Sequence, residues 1–282
     1  MNIKIVIDSA SDISLEEAEK LGVTVIPMSI SFGFNEEYYD GVDITPHRFY
    51  EKLIESDELP KTSQINAFRF NEVFKELTSD GSDVLVITIS SKLSGTYTSA
   101  LQAAEKYGNV HVVDSLNACI GERLLCLYAL ELIKKGLSIE EIVEELNEKK
   151  KKINLIAVVN TLEYLKKGGR VSSAVAFAGE AFSIKPVLSV IDGEVKMIGK
   201  AVGSKRGNNL LNTLVAKKGG IDFSMPYGVI WSGLDNTMLQ KYIKDSAHLW
   251  EEHTDTIPAY IIGSTIGTHV GPGAIGVAFF EK

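Results

Sequence analysis

The sequence predicts a two-lobed α/β protein: an N-terminal lobe with a Rossmann-like parallel sheet and a C-terminal α/β lobe with a mixed or antiparallel sheet. Three observations carry that expectation. The 282 residues are more than one ordinary core accommodates. Short β-rich runs alternate with helical periodicity through the first half of the chain. In the second half Asp192-Gly193 separates two apolar runs, and this dipeptide supplies the positive φ angles of a tight hairpin turn.

Ile3 to Ile7 reads as a strand, followed by the polar stretch Asp8 to Asp12 and a helix over Leu15 to Leu21. Val23 to Ser31 is expected as one strand, Gly33 to Thr45 as an irregular aromatic segment, and Pro46 to Ser56 as a helix capped by Thr45. Pro60 to Gln64 reads as a polar loop ahead of a helix over Asn66 to Leu77. Asp83 to Ile89 is continuously apolar, as a strand buried on both faces must be. A helix over Ser99 to Tyr107, a strand over Val110 to Val113, and helices over Gly121 to Lys134 and Ile139 to Lys152 complete the lobe. The lobes are expected to divide at residues 1–155 and 156–282, because Asn154 to Val159 begins a strand with a different rhythm behind it. There Val187 to Ile191 and Val195 to Ile198 form the hairpin; Tyr227 to Trp231, Ala259 to Ile262 and Ala274 to Phe280 read as strands, with helices over Asn208 to Lys217 and Thr237 to Trp250.

A formal charge of −8, from 29 basic and 37 acidic residues, disfavours nucleic acid or an anionic membrane as a partner. The N-terminus enters a strand directly, and no apolar run approaches the roughly 20 residues of a membrane span, so a cytoplasmic protein without membrane insertion is expected. Cys119 and Cys126 are too far apart for a CxxC site and lie in an apolar pattern, where buried free thiols are expected. The charged face from Glu140 to Lys152 reads as a solvated helix surface.

In an open parallel sheet, ligands bind beyond the carboxyl ends of the strands. Those ends carry Asp8-Ser9-Ala10-Ser11-Asp12, Ser90 to Thr98 and Asp114-Ser115, and Pro60 to Gln64 joins them. Hydroxyls, backbone N–H groups and helix N-termini converging there favour an anion, although any one such loop is explained as well by helix capping. In the second lobe Gly263 to Gly273 is a glycine-rich loop with one histidine. His269 has little core to join there, and its ordinary pKa near 6.5 suits a donor to an anion. No Walker sequence, GxGxxG fingerprint or HExxH is present, which disfavours nucleotide, dinucleotide and zinc chemistry, and no cofactor is expected.

The ordered set D-S-x-S-D at Asp8 to Asp12, K-T-S-Q at Lys61 to Gln64, S-S-K-L-S-G-T-Y at Ser90 to Tyr97, V-V-D-S at Val112 to Ser115, L-K-K-G-G-R at Leu165 to Arg170 and G-x-x-x-G-x-H-x-G-P-G at Gly263 to Gly273 resembles the DegV family over essentially the whole chain. The resemblance implies a bacterial fatty-acid-binding protein without catalytic activity of its own. It implies that Thr62, Ser94 and His269 hold the carboxylate of a long-chain fatty acid such as palmitate, with the tail in an apolar tunnel. Ser63, Gly95 and Thr96, beside them in the same loops, and Ser9 in the Asp8 to Asp12 loop complete the candidate ligand set. The resemblance also implies a fatty-acid kinase as partner, with Arg170, Lys200 and Arg206 as candidate contacts. The sequence departs from the family where relatives carry an arginine and this chain has Val202, which weakens the expectation of a kinase partner. Two other classes compete with this reading. One is a hydrolase with Ser94 as nucleophile, His269 as base and Asp8 or Asp114 behind it, although Ser94 lacks the G-x-S-x-G elbow. The other is a binder of a small phosphorylated ligand, using Lys61, Lys92 or Arg170.

Overall fold

The computed structural model describes residues 2–171 and 184–282. The chain begins with β1 (Ile3–Asp8) and α1 (Leu15–Leu21), which Ser14 caps and Gly22 ends in the left-handed region at φ 70°. The expected strand over Val23 to Ser31 is two strands, β2 (Val23–Ile26) and β3 (Ser29–Phe32), because Pro27 has no N–H to continue the ladder. The segment expected to be irregular contains β4 (Glu36–Tyr39), and after α2 (Pro46–Glu55) the expected polar loop contains β5 (Lys61–Ser63). Then follow α3 (Ala67–Leu77), β6 (Asp83–Thr88), α4 (Thr96–Ala104), β7 (Val110–Asp114), α5 (Ile120–Lys134) and α6 (Ile139–Lys149), the last opened by a Ser138/Glu141 capping box.

The second half runs β8 (Ile153–Val158), α7 (Glu163–Lys167), β9 (Ile184–Ile191), β10 (Glu194–Val202), α8 (Ser204–Lys217), β11 (Tyr227–Trp231), α9 (Thr237–Asp245), β12 (Ala259–Ile261), α10 (Ser264–Val270) and β13 (Ile275–Phe280). The β9–β10 hairpin turns on Asp192 and Gly193 at φ 53° and 83°, as that dipeptide predicts. By contrast, the glycine-rich loop expected at 263–273 is for the most part a helix, α10.

Two main sheets result. The N-terminal lobe has a four-stranded parallel sheet in the order β2-β1-β6-β7, and the C-terminal lobe a mixed six-stranded sheet in the order β10-β9-β8-β13-β11-β12, where β11 and β12 run parallel and the other pairs antiparallel. A small antiparallel sheet, β4-β3-β5, stands beside them. Helix α5 touches β1 and β6 of the first main sheet and β8, β11 and β13 of the second. One continuous apolar cluster therefore reaches from Ile7, Val86 and Leu124 to Leu155, Ile230 and Phe280. The opposite face of the six-stranded sheet packs separately, with Ile156, Val158 and Val187 against Leu211 of α8. Cys119 and Cys126 are both buried and free.

Candidate functional site

Strand periodicity builds the floor of a cavity. Along β8 and β9, Leu155, Ala157, Val159, Leu188 and Val190 face it, while the alternate residues Ile156, Val158 and Val187 face the second core. Ala157 pairs with Leu188 on one side and Gly276 on the other. Two of the smallest side chains lie side by side there, leaving a hollow in the sheet, and Ala157 stays partly accessible although it sits mid-sheet. The first lobe, α10 and the residue after β12 supply the opposite wall, including Met28, Ile89, Cys119, Ile262 and Ile266. The cavity has a volume of about 250 Å³ and a mainly apolar lining, with polar groups Thr62, Gln64, Ser94, Arg170 and His269 also on its wall.

Thr62 and His269, 207 positions apart in the chain, meet directly: Thr62 Oγ1 lies 2.9 Å from His269 Nε2. His269 Nδ1 is buried without a partner, and a Cβ on Gly168 would stand 2.3 Å from it, so glycine at 168 is what lets the ring sit there. A buried orphan acceptor is tolerated better than a buried orphan N–H, which places the ring proton on Nε2, donating to Thr62. The Thr62 hydroxyl proton is then free for a ligand. Burial, with the Arg170 guanidinium adding to it, holds the imidazole down from 6.5 to about 4, so it is neutral at pH 7.

Helix α10 carries His269 at its C-terminal end, and two carboxylates of the other lobe secure its start. Asp12 Oδ1 accepts from Gly263 N at 2.8 Å, and Asp40 accepts from Ser264 N and Thr265 N, each at 3.0 Å. The side chain of Asp40 is buried. This clamp explains why a Gly/Ser/Thr-rich stretch with poor helix propensity forms a helix: its first N–H groups have fixed acceptors.

On the other side, Ser94 Oγ accepts from Thr96 N at 3.2 Å and lies 2.9 Å from Thr96 Oγ1. Gly95 is pressed against Gln64, whose Oε1 would be 2.0 Å from a Cβ there, and Gln64 Nε2 donates to Ser99 Oγ at 3.1 Å.

Of the residues expected at a head group, Thr62, Ser94, Gly95 and His269 line one cavity. Ser63, Thr96 and Ser9 are not on its wall. Strand alternation turns Ser63 away from Thr62 into solvent; Thr96 is fully buried behind Ser94; and Ser9 is buried behind the wall, where its Oγ accepts from Met28 N at 3.0 Å. Arg170, expected as a partner contact, lines the cavity and joins the lobes by donating from Nε to the Leu93 carbonyl at 3.3 Å. Lys200 on β10 and Arg206 on α8 are exposed and do not line it, and neither do Lys61 and Lys92. Gln64 was not among the expected site residues; its place in K-T-S-Q, two residues past Thr62 on the same strand side, could have identified it.

The hydrolase geometry is absent: His269 bonds Thr62 rather than Ser94. Asp8 accepts from Ala10 N and Ile89 N, and Asp114 from Ser91 N and Leu116 N, so neither stands behind the imidazole.

Burial raises Asp8 and Asp12 from 3.8 to about 7, and the fully buried Glu122 rises as well. Groups raised in this way bind protons more tightly in the folded chain. Their share of stability is complete below the ordinary carboxylate range and is lost as pH rises through 7. His269 acts oppositely, its share being lost as pH falls from 6.5 toward 4. The carboxyls outnumber the histidine, so thermal midpoints are expected to rise from about pH 7.5 to about pH 5.5; calorimetry at the two pH values checks this, and Asp12→Asn should flatten the rise.

Fold and site together define a class: a two-lobed α/β protein enclosing an apolar cavity with a few hydroxyl and imidazole groups on its wall. More particularly, the chain belongs to the DegV family, whose sequence model, described as that of an uncharacterised protein, matches residues 2–282. A DegV domain-containing protein of Caldanaerobacter subterraneus subsp. tengcongensis is 35% identical over 285 residues, covering 99% of each chain. Among solved structures, a DegV family protein from Thermus thermophilus described for its fatty-acid binding superposes with a TM-score of 0.89 at 31% identity, over 100% of both chains. DegV of Bacillus subtilis, described as a fatty acid binding protein, gives 0.85 at 32% identity over 100% of both. A stearic acid-binding protein from Eubacterium ventriosum gives 0.87 at 28% identity, over 100% of this chain and 99% of that one. No helix among the described residues is long and apolar enough to cross a membrane.

Proposed function

We propose that this chain is a cytoplasmic carrier of one long-chain fatty acid and has no catalytic activity of its own. The carboxylate is held by the hydroxyls of Thr62 and Ser94, with His269 orienting Thr62 from behind, and the tail lies over the Ala157 hollow. In this reading residues 1–155 supply both hydroxyls and, with Leu155, one edge of the floor, and residues 156–282 supply the histidine and the rest of the floor. The observation that carries it is the meeting of Thr62 with His269 on the wall of an apolar cavity that Ser94 also lines. A donor that stays neutral at pH 7 can serve a carboxylate without leaving a buried charge when the cavity is empty. Most of the affinity comes from the tail, at about 0.8 kcal/mol per buried CH₂. We further infer that the bound acid is offered to a fatty-acid kinase, with Lys200 and Arg206 on the exposed β10–α8 surface as contacts and Val202 as a point of difference from relatives.

Native mass spectrometry of the freshly purified protein tests the proposal: a co-purifying fatty acid is expected, and a nucleotide or phosphorylated metabolite in its place would reject it. Each of Thr62→Val and Ser94→Ala removes one hydrogen bond to a charged group, worth about 1.5–3 kcal/mol. Each should weaken binding of a fluorescent polyene fatty acid by roughly 10- to 100-fold, and each should also lower the thermal midpoint, because Thr62→Val leaves the His269 Nε2–H and Ser94→Ala the Thr96 O–H without a partner. Unaltered affinity in both variants would place the carboxylate elsewhere.

A further inference from the structure

We propose that Thr96, which does not line the cavity, is a positioning residue that fixes the hydroxyl proton of Ser94 toward the ligand and so makes the site select a carboxylate. The inference rests on the fatty-acid reading above.

It follows from counting donors and acceptors. Thr96 is fully buried, and its Oγ1 has two neighbours, the Ile65 N–H at 3.3 Å and Ser94 Oγ at 2.9 Å. Two hydroxyl protons are available for the one Ser94–Thr96 contact, so two arrangements compete. In one, Ser94 donates to Thr96. Thr96 then accepts twice, from Ser94 and from Ile65, and its own proton has no acceptor, an outcome that burial penalises. In the other, Thr96 donates to Ser94. Every group at Thr96 is then satisfied, and Ser94 Oγ accepts from both the Thr96 N–H (3.2 Å) and the Thr96 O–H. With both lone pairs engaged, Ser94 has only its proton to offer, and the cavity that it lines is where that proton can go.

The second arrangement is therefore the stable one, and burial sets it: Thr96 is fully buried, and Ser94 Oγ is the acceptor within reach of its hydroxyl proton. Ser94 becomes a donor of fixed direction, the counterpart of Thr62, whose oxygen accepts from His269. A Ser94 that can only donate, beside a Thr62 whose proton is free for the ligand, matches a carboxylate, whose oxygens only accept. The pair matches a primary alcohol or an amide less well, because each of those brings donors of its own.

The test compares palmitate with hexadecanol as competitors of a fluorescent fatty acid, in the full chain and its variants, with thermal midpoints read alongside. Thr96→Val keeps the shape but frees Ser94 to rotate. Palmitate affinity should fall about 10-fold, and preference for the acid over the alcohol should shrink by a similar factor. Thr96→Ser restores the hydroxyl and should recover both to within about twofold, an outcome that a purely structural role for Thr96 would not produce for the acid/alcohol ratio. Ser94→Ala separates the two layers. If it leaves palmitate affinity unchanged, the head-group reading itself fails. If it weakens palmitate while Thr96→Val retains wild-type affinity and preference, the positioning role is overturned. Should Thr96→Val not fold, Thr96→Cys, a weak donor of similar size, serves in its place, and an unchanged acid/alcohol ratio in that variant would overturn the role equally.

Discussion

Asp40→Ala is expected to cost the fold about 2–5 kcal/mol, because two buried N–H groups lose their acceptor at once and each costs about 1–3 kcal/mol when left unpaired. Those groups belong to Ser264 and Thr265, the first residues of α10, and both bond the Asp40 carboxylate at 3.0 Å. Part of the loss is returned, since Asp40 also repels the neighbouring Asp8 and Asp12. Asp40→Asn keeps one acceptor oxygen and relieves the same repulsion, so it should lose less than half as much. Urea unfolding of the three proteins measures the differences. Because α10 also places His269 against Thr62, Asp40→Ala should weaken fatty-acid binding even where the protein remains folded. Full affinity in the folded variant would mean that the clamp has no bearing on the head group.

The second large effect is expected at the hollow in the six-stranded sheet. Ala157→Phe adds a ring where Ala157, flanked by Gly276 and Leu188, opens the floor of the cavity. A phenyl group there displaces about four or five methylenes of a bound tail. At about 0.8 kcal/mol each, this is roughly 3–4 kcal/mol, or a loss of a few hundredfold or more in affinity for a 16- or 18-carbon acid. An eight- to ten-carbon acid should lose little, because its tail ends short of the ring. In lipid-free protein the thermal midpoint should hold or rise, since the ring fills part of the cavity. Equal losses for short and long acids would show that the tail takes another path.

The parts of this architecture fixed by local chemistry are visible in the chain itself. The parallel strands appear as apolar runs, the hairpin as Asp192-Gly193, and α2 through Thr45 at its cap. What escaped was set by distant partners. β5 is three residues long and exists because Lys61 to Ser63 pair with Ser29 to Ser31, some thirty positions back. α10 reads as a loop by composition and becomes a helix because Asp12 and Asp40 receive its first N–H groups. The site divides in the same way. Hydroxyl-rich strand ends and an isolated histidine pointed to an anion site in those loops and to His269, and the family resemblance to Thr62 and Ser94 in particular, whereas the retreat of Thr96 and Ser9 behind the wall depends on packing that no motif spacing reveals.

Helix α5 has a mechanical consequence. Its buried side chains serve both main sheets, and the apolar cluster crossing it has no seam between Ile7 on one sheet and Phe280 on the other. The halves are therefore expected to melt together in one calorimetric transition, and the cavity to open by local fraying at the rim, where stability is lowest, rather than by two rigid jaws swinging apart.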